Sequence, residues 1–233
     1  MQRTLDGFKF ISSSGSVEDK TLCIMSAVAY LANEPHSDRP ACACPVLTEA
    51  AILINDGPWW ADANERTAAL APIAERLVGT RSTHEIEHKR SEMFVRACLS
   101  EFAPDALDLA AFMLGTAGLA DHSNNLLKAA QKLRKEQTLE AALEAEAIAD
   151  YALNTAFTVL KVPYPCTEGI CVDALNASFR AACAAKGAAV VAARKDFTTT
   201  SSLVGLRVTS LSDKKRIRDR LISLLIQAAG IST

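Results

Sequence analysis

A short loop between two apolar segments holds the side chains best suited to chemistry. Residues 34–45 read Glu-Pro-His-Ser-Asp-Arg-Pro-Ala-Cys-Ala-Cys-Pro, so the loop carries two carboxylates, an imidazole, a hydroxyl, a guanidinium and two thiols. The flanking segments 21–31 and 46–54 are apolar enough to be buried helices. Loops that are held by rigid elements often carry binding and catalytic groups. The sequence therefore predicts a functional site at this loop.

Two kinds of catalytic group lie in the loop. Glu34 and Asp38 are the candidate general acid and base. Cys42 or Cys44 is the candidate nucleophile, because Cys44 directly precedes a predicted helix start, where the helix dipole favours a thiolate. The same two cysteines are only a weak zinc signal, since no second Cys or His pair follows at zinc spacing.

Polar residues also stand at the ends of the next helices along the chain. Short connections favour antiparallel packing of neighbouring helices, so alternate helix ends should meet near the loop. Arg76 and Arg81 would then hold a phosphate or carboxylate. Hydroxyl groups or base edges would be recognised by Ser37, Asp38 and Asn55. The predicted ligand-binding residues are Ser37, Asn55, Asp56, Arg76, Thr80 and Arg81.

The segment His84-Glu85-Ile86-Glu87-His88 matches the H-E-x-x-H pattern of zinc peptidases. Two imidazoles at this spacing share one helical face, and the first glutamate would polarise a metal-bound water. The pair stands in a polar, charged helix start, however, and no distant glutamate ligand follows at the usual spacing. We therefore expect no metal centre here, and no cofactor elsewhere in the chain.

Composition argues against several classes of partner. The chain has 233 residues, a net charge of −2 and 6% aromatic residues. It therefore lacks the positive surface charge and the stacking side chains that are typical of nucleic-acid-binding proteins. The basic run in residues 214–220 is interrupted by Asp219 and preceded by Asp213, as in a solvated helix face. No uncharged apolar stretch reaches about 18 residues, so we expect no membrane partner. Unpaired cysteines at apolar positions favour a reducing, cytoplasmic location.

The hydrophobic periodicity predicts an all-α protein, a multi-helix bundle with little or no sheet. A short strand is the alternative for Thr198–Ser210, which is rich in Thr, Ser and Val. The predicted helices are Thr21–Ala32, Pro45–Ile54, Asp62–Val78, Ser82–Phe102, Asp105–Ala117, Ser123–Lys135, Thr138–Leu160 and Ser212–Ala229. We expect a helical domain over residues 1–120 that carries the polar loop. An Ala-rich helical region over 121–233 would complete its core or form a homodimer interface, with Leu221–Ile226 buried against a neighbour.

The polar residues form a block that resembles one in uncharacterised helical proteins of actinobacteria and bacteriophages. The resemblance covers residues 22–99, and in those proteins alanine-rich helical segments follow the block, as they do here after Leu139. The matching positions are Cys23-x-Met25, Ala29-Tyr30, Glu34-Pro35-x-Ser37-Asp38-x-Pro40-x-Cys42-x-x-Pro45-Val46, Asn55-Asp56 and Arg76-Leu77-Val78-Gly79-Thr80-Arg81. The position of His36 can hold Trp in such proteins. The resemblance implies that the polar residues of the block belong together, and it brings no assigned activity.

Three functions are consistent with these residues. The leading one is recognition of a small anionic metabolite, such as a nucleotide or nucleotide-like signal, in a bacterial or phage protein. The second is a hydrolase or transferase that uses Glu34 and Asp38 for acid-base chemistry. The third is a structural or interaction protein whose polar block only ties helices together. Paired arginines favour the binding protein, and paired carboxylates favour the enzyme.

Overall fold

The fold is mostly helical, as the periodicity predicts, with one small sheet near the amino terminus. The structure is a computed structural model that describes residues 3–13, 15–160, 177, 181–190 and 211–231. The strands are β1 (Lys9–Phe10), β2 (Gly15–Ser16) and β3 (Thr21–Leu22). The helices are α1 (Ile24–Leu31), α2 (Pro45–Asp56), α3 (Ala63–Leu77), α4 (His84–Ala97), α5 (Ala103–Thr116), α6 (Ala120–Glu136), α7 (Leu139–Leu160), α8 (181–190) and α9 (Leu211–Ala229). A π-helical turn, Cys98–Phe102, joins α4 to α5, and the strand expected within Thr198–Ser210 lies outside the described residues.

The chain divides into two compact units. The first unit consists of Met1–Met93 together with Leu211–Thr233, and the second of Phe94–Ser210. The domain boundary that we expect from the sequence, at residue 120, differs from this division. The difference arises because α9 packs against α2 and α3 of the first unit, although it comes last in the chain.

A three-stranded sheet opens the first unit. The central strand β3 pairs in parallel with β1 and antiparallel with β2. The Ser16 hydroxyl accepts a hydrogen bond from the Asp19 amide at 3.1 Å, which closes the turn between β2 and β3. The sequence predicts a helix that begins at Thr21. That start is wrong, because Thr21 and Leu22 pair as a strand and α1 begins at Ile24.

The core of the first unit lies between α1, α2, α3 and α9. Every residue of α1 from Ile24 to Ala29 is buried. Pro72 lies inside α3 without ending it, and the helix buries Leu70, Ile73, Ala74 and Leu77. The apolar half of α9 buries Leu221, Leu224, Leu225 and Ala228. This face, which the sequence offers to a homodimer, is therefore covered within the chain.

The basic run in α9 does not form one solvated face. Arg218 is only 7% exposed. Its guanidinium donates to the Glu65 carboxylate at 2.6 Å and lies 5.0 Å from the centre of the Trp60 ring. Backbone and side-chain donors, first the Ala61 amide and then Arg218, hold the pKa of Glu65 below its usual value. One of the basic residues thus fixes α9 onto α3.

The second unit is built on closely packed helices with small side chains. Helices α5 and α6 pack against each other, and α7 packs against α6. Ala141, Ala142 and Ala145 of α7 are buried, and alanine lets helix backbones approach closely. Arg134 of α6 forms ion pairs with Asp105 and Asp108 of α5 at 3.0 and 2.6 Å. No helix in the described part of the chain is long and apolar enough to cross a membrane.

Candidate functional site

A cleft of about 430 Å³ opens in the first unit, where α1 begins and α2 ends. Four predicted site residues, Ser37, Asp38, Asn55 and Asp56, lie together in its wall. The loop 34–45 supplies the first two, and the end of α2 supplies the others. The complete lining is Ser12, Ser13, Cys23, Ile24, His36, Ser37, Asp38, Ile52, Asn55 and Asp56.

Glu34 holds the loop in shape and does not line the cleft. Its two carboxylate oxygens accept hydrogen bonds from the amides of Ala41 and Cys42 at 2.6 and 2.8 Å. The Ser37 hydroxyl accepts from the Arg39 amide at 3.0 Å, and the Arg39 guanidinium pairs with Glu49 of α2. These bonds link the two ends of the loop and anchor it to α2.

Asn55 joins three elements at the wall of the cleft. It is 1% exposed, and its side-chain oxygen accepts from the Ile24 amide at the start of α1, at 3.3 Å. Its side-chain nitrogen donates to the Ile11 carbonyl at 2.9 Å and to the Asp56 carboxylate at 2.7 Å. Because both amide protons and the oxygen are engaged, Asn55 shapes the cleft and orients Asp56.

The charge in the cleft is acidic. Asp38 and Asp56 are both exposed, and the lining residues include no Lys or Arg. Asp56 interacts electrostatically with Arg66 of α3. Burial lowers the pKa of Arg66, and the Asp56 carboxylate opposes that shift. The Arg66 Nε atom is buried and has no hydrogen-bond partner within the described chain.

The turn after α3 contacts the loop through one side-chain and one backbone hydrogen bond. The Thr80 hydroxyl accepts from the Cys44 amide at 3.1 Å and donates to the Leu77 carbonyl at 2.8 Å. The Arg81 amide donates to the Cys42 carbonyl at 2.8 Å. Loop and turn are therefore neighbours, but neither Thr80 nor Arg81 lines the cleft.

The two arginines predicted to hold an anion lie outside the cleft lining. Arg76 is exposed in the last turn of α3. The Arg81 side chain is 56% exposed, and its Nε lies 3.4 Å from a Glu87 carboxylate oxygen. The geometry of the cleft thus brings together the predicted hydroxyl-recognising residues and not the predicted anion anchors.

Neither cysteine of the loop is placed as a cleft nucleophile. Burial raises the pKa of the Cys42 thiol, and the neighbouring Glu34 carboxylate raises it further, against the opposing effect of backbone hydrogen bonds. Cys44 precedes α2 as predicted, but it is fully buried and does not line the cleft. The enzyme hypothesis based on these two thiols gains no support from their surroundings.

The histidine pair lies on the exposed first turns of α4. The rings of His84 and His88 are 6.3 Å apart between centroids. His88 Nε2 lies 3.4 Å from a Glu92 carboxylate oxygen. Over the residues that the structure describes, no group of three or more His, Cys, Asp and Glu side chains is arranged to hold a metal ion.

Sequence reasoning missed a chain of polar groups at the start of α1. Cys23 is the N-cap of this helix, and its thiol donates to the Ser26 hydroxyl at 3.2 Å. That hydroxyl lies 3.3 Å from His36 Nε2. Cysteine is not among the residue types that usually cap helices, so the sequence carried no signal for this N-cap.

Comparison with known proteins finds no matching family model, no matching curated protein and no matching solved structure. The resemblance of residues 22–99 to actinobacterial and phage proteins therefore stays an expectation. The function has to be argued from the cleft itself.

Proposed function

We propose that the first unit binds a small hydroxyl-bearing metabolite, such as a nucleoside or nucleotide-like molecule, in the cleft between loop 34–45 and α2. The observation that carries this proposal is that Ser37 and Asp38 of the loop and Asp56 of α2 line one and the same cleft. Carboxylates that face a cleft accept hydrogen bonds from ligand hydroxyls, and an acidic side chain commonly recognises ribose in this way.

The charge of the lining selects the part of the ligand that enters. Asp38 and Asp56 favour hydroxyl or amine donors and repel a phosphate, because like charges at short range cost free energy. The sugar-like portion therefore occupies the cleft, and Asp38 and Asp56 are its acceptors. The anionic portion that Arg76 and Arg81 would hold gains no support from the lining.

A ligand screen with two matched variants tests this proposal. The full chain is screened by thermal shift against nucleosides, nucleotides and simple polyols, each at a fixed concentration. Asp38→Asn should lose most of the ligand-induced rise in melting temperature. Loss of one charge-assisted hydrogen bond costs about 1.5–3 kcal/mol, roughly a 10- to 150-fold loss of affinity.

Arg81→Ala is the matched control, since Arg81 is a charged loop residue outside the cleft lining. It should keep the ligand-induced shift of the unmodified protein. Full stabilisation in Asp38→Asn, or its loss in Arg81→Ala, would contradict the cleft assignment. The second result would instead favour the anion site that the sequence predicts.

A further inference from the structure

We propose that Cys23 is a nucleophilic thiol that accepts an acyl group from an ester or thioester bound in the cleft. The inference rests on the proposed binding cleft, although it does not depend on the identity of the metabolite. It assigns a chemical step to a residue outside the predicted acid-base pair. Three features of the structure support it. They are the position of the sulfur, the groups hydrogen-bonded to it, and the different surroundings of the other described cysteines.

The position of the sulfur is the first feature. Cys23 lines the cleft together with His36 and Asp38, and it is 8% exposed, so the residue borders the space that a ligand would enter. The residue is also the N-cap of α1, and the Ser26 amide donates to its sulfur at 3.3 Å. A backbone donor and the positive end of a helix both stabilise negative charge that develops on sulfur.

A path for the thiol proton is the second feature. The Cys23 thiol donates to the Ser26 hydroxyl at 3.2 Å, and that hydroxyl lies 3.3 Å from His36 Nε2. Donation in this direction requires His36 Nε2 to be the acceptor, which a neutral imidazole can be. Ser26 is 1% exposed, so its hydroxyl is held between the two groups. Covalent catalysis uses a nucleophile hydrogen-bonded to a base, and here the Ser26 hydroxyl bridges the two groups.

The other described cysteines lack these features, and this contrast is the third. Burial raises the pKa of Cys98 to about 12. Burial and Glu34 raise the pKa of Cys42. Cys44 is fully buried and lies outside the cleft lining. Burial also raises the pKa of Cys183, and this residue lies outside the cleft lining. Among the described thiols, Cys23 alone lines the cleft and is linked to an imidazole.

The step balances with water as the co-reactant. The sulfur attacks the acyl carbonyl carbon and a carbon–sulfur bond forms, while the thiol proton passes through the Ser26 hydroxyl to His36. The bond to the leaving alcohol or thiol breaks, and His36 returns the proton to it. Water then hydrolyses the acyl–Cys23 thioester, which releases the acid and restores the thiol.

Alkylation of the full chain with iodoacetamide, followed by peptide mass spectrometry, tests the nucleophile directly. Cys23 should react at least about tenfold faster than Cys44 and Cys98 in the folded protein, because of these three only Cys23 lines the cleft and is linked to an imidazole. Equal rates at the three cysteines would overturn the proposal. Circular dichroism of each variant described below shows whether it remains folded.

Two substitutions separate activation of the thiol from simple exposure. Ser26→Ala breaks the link to His36, and His36→Gln removes the base from an exposed loop position, where folding should survive. Both should slow Cys23 alkylation severalfold. Unchanged alkylation rates in both folded variants would overturn the link between Cys23 and His36 on which the proposal rests.

A p-nitrophenyl acetate assay tests acyl transfer itself. The protein should release a stoichiometric burst of p-nitrophenolate and carry acetyl on Cys23, and Cys23→Ser should do neither. Absence of the burst would overturn the acyl-transfer step. Rapid Cys23 alkylation without any ligand-induced stabilisation would contradict the proposed binding function alone. Ligand-induced stabilisation with slow Cys23 alkylation would contradict this inference alone.

Discussion

Arg90 shows how one residue can fix several pieces of backbone at once. It is 4% exposed and donates three hydrogen bonds to main-chain carbonyl groups. The acceptors are Thr80 after α3 at 2.5 Å, Ala228 in α9 at 3.0 Å and Ile231 beyond it at 2.8 Å. Carbonyls at a helix carboxyl end carry partial negative charge, so a cation is well placed there. Arg90 therefore ties the end of α9 to the turn beside loop 34–45.

We expect Arg90→Met to destabilise the protein by at least about 2 kcal/mol, because it removes charge-assisted hydrogen bonds from buried carbonyls. Urea unfolding monitored by circular dichroism measures the change. Lys89→Met is the matched control. Lys89 is the adjacent basic residue, exposed and paired with a still more exposed Glu85, so its loss should cost less than about 0.5 kcal/mol. A similar loss of unfolding free energy in both variants would show that the three hydrogen bonds of Arg90 do not stabilise the fold.

The sequence could not separate Arg90 from Lys89, since both read as basic residues in a charged helix start. Successive side chains on a helix point about 100° apart, so one turns into the core and the other into solvent. Only tertiary packing determines which of the two side chains is buried. Site residues pose the same problem. Sequence spacing groups Asp38, Asp56 and Arg81 together, whereas the cleft lining includes the two aspartates and leaves Arg81 out.

Among the elements, the small sheet departs most from what periodicity predicts. Strands of two residues are too short to show alternation, and the strand β3 reads as the start of the helix that follows it. Longer helices leave a clearer signal. The predicted start of α2 at Pro45 is confirmed, and Asp62 caps α3, accepting from the Asn64 and Glu65 amides at 2.7 and 2.8 Å. Predicted boundaries therefore hold where a proline or a capping carboxylate marks them.

Gly15, the first residue of β2, allows a specific prediction for this sheet. Gly15 has a φ of +64°, and a methyl group there would lie 2.2 Å from the Thr21 carbonyl oxygen. Gly15→Ala should therefore destabilise the protein by more than about 2 kcal/mol, from backbone strain and the clash together.

Gly7→Ala isolates the strain component of that cost. Gly7 has a φ of +77°, but a methyl group there meets nothing within 4 Å. It should cost only about 1–2 kcal/mol. Thermal unfolding of both variants measures the difference in destabilisation between them. We attribute that difference to the clash of the methyl group added at Gly15 with β3. If the two alanine variants melt at the same temperature, β2 does not sit as closely on β3 as the structure has it.

At the scale of the whole chain, the two ends meet in one unit. The first unit takes its helices from residues before Met93 and from α9 after Leu211. The sequence predicts α9 and its apolar face correctly, but an apolar face only shows that something covers it. It does not show whether a second copy or the same chain does so, because the pattern is identical in both cases. The intrachain answer depends on contacts that no local signal encodes.

This arrangement predicts that a chain ending at residue 210 cannot keep the first unit folded. Truncation removes the buried Leu221, Leu224 and Leu225, and burial of three such side chains contributes about 5–9 kcal/mol, as much as the whole stability of many domains. The fragment should bind the dye ANS and lose the cooperative unfolding of the first unit. Adding a peptide of residues 211–233 should restore the cooperative unfolding of the first unit, because α9 then covers α2 and α3 again.

Two altered peptides decide whether the buried face of α9 is responsible. A peptide with Leu224→Asp places a charge in the core and should fail to restore folding. A peptide with Gln227→Asp adds the same charge at an exposed position of the same helix and should restore it as well as the unmodified peptide does. A truncated chain that unfolds like the full-length protein would show that α9 is dispensable. Rescue by both peptides would show that burial of Leu224 is not what restores folding.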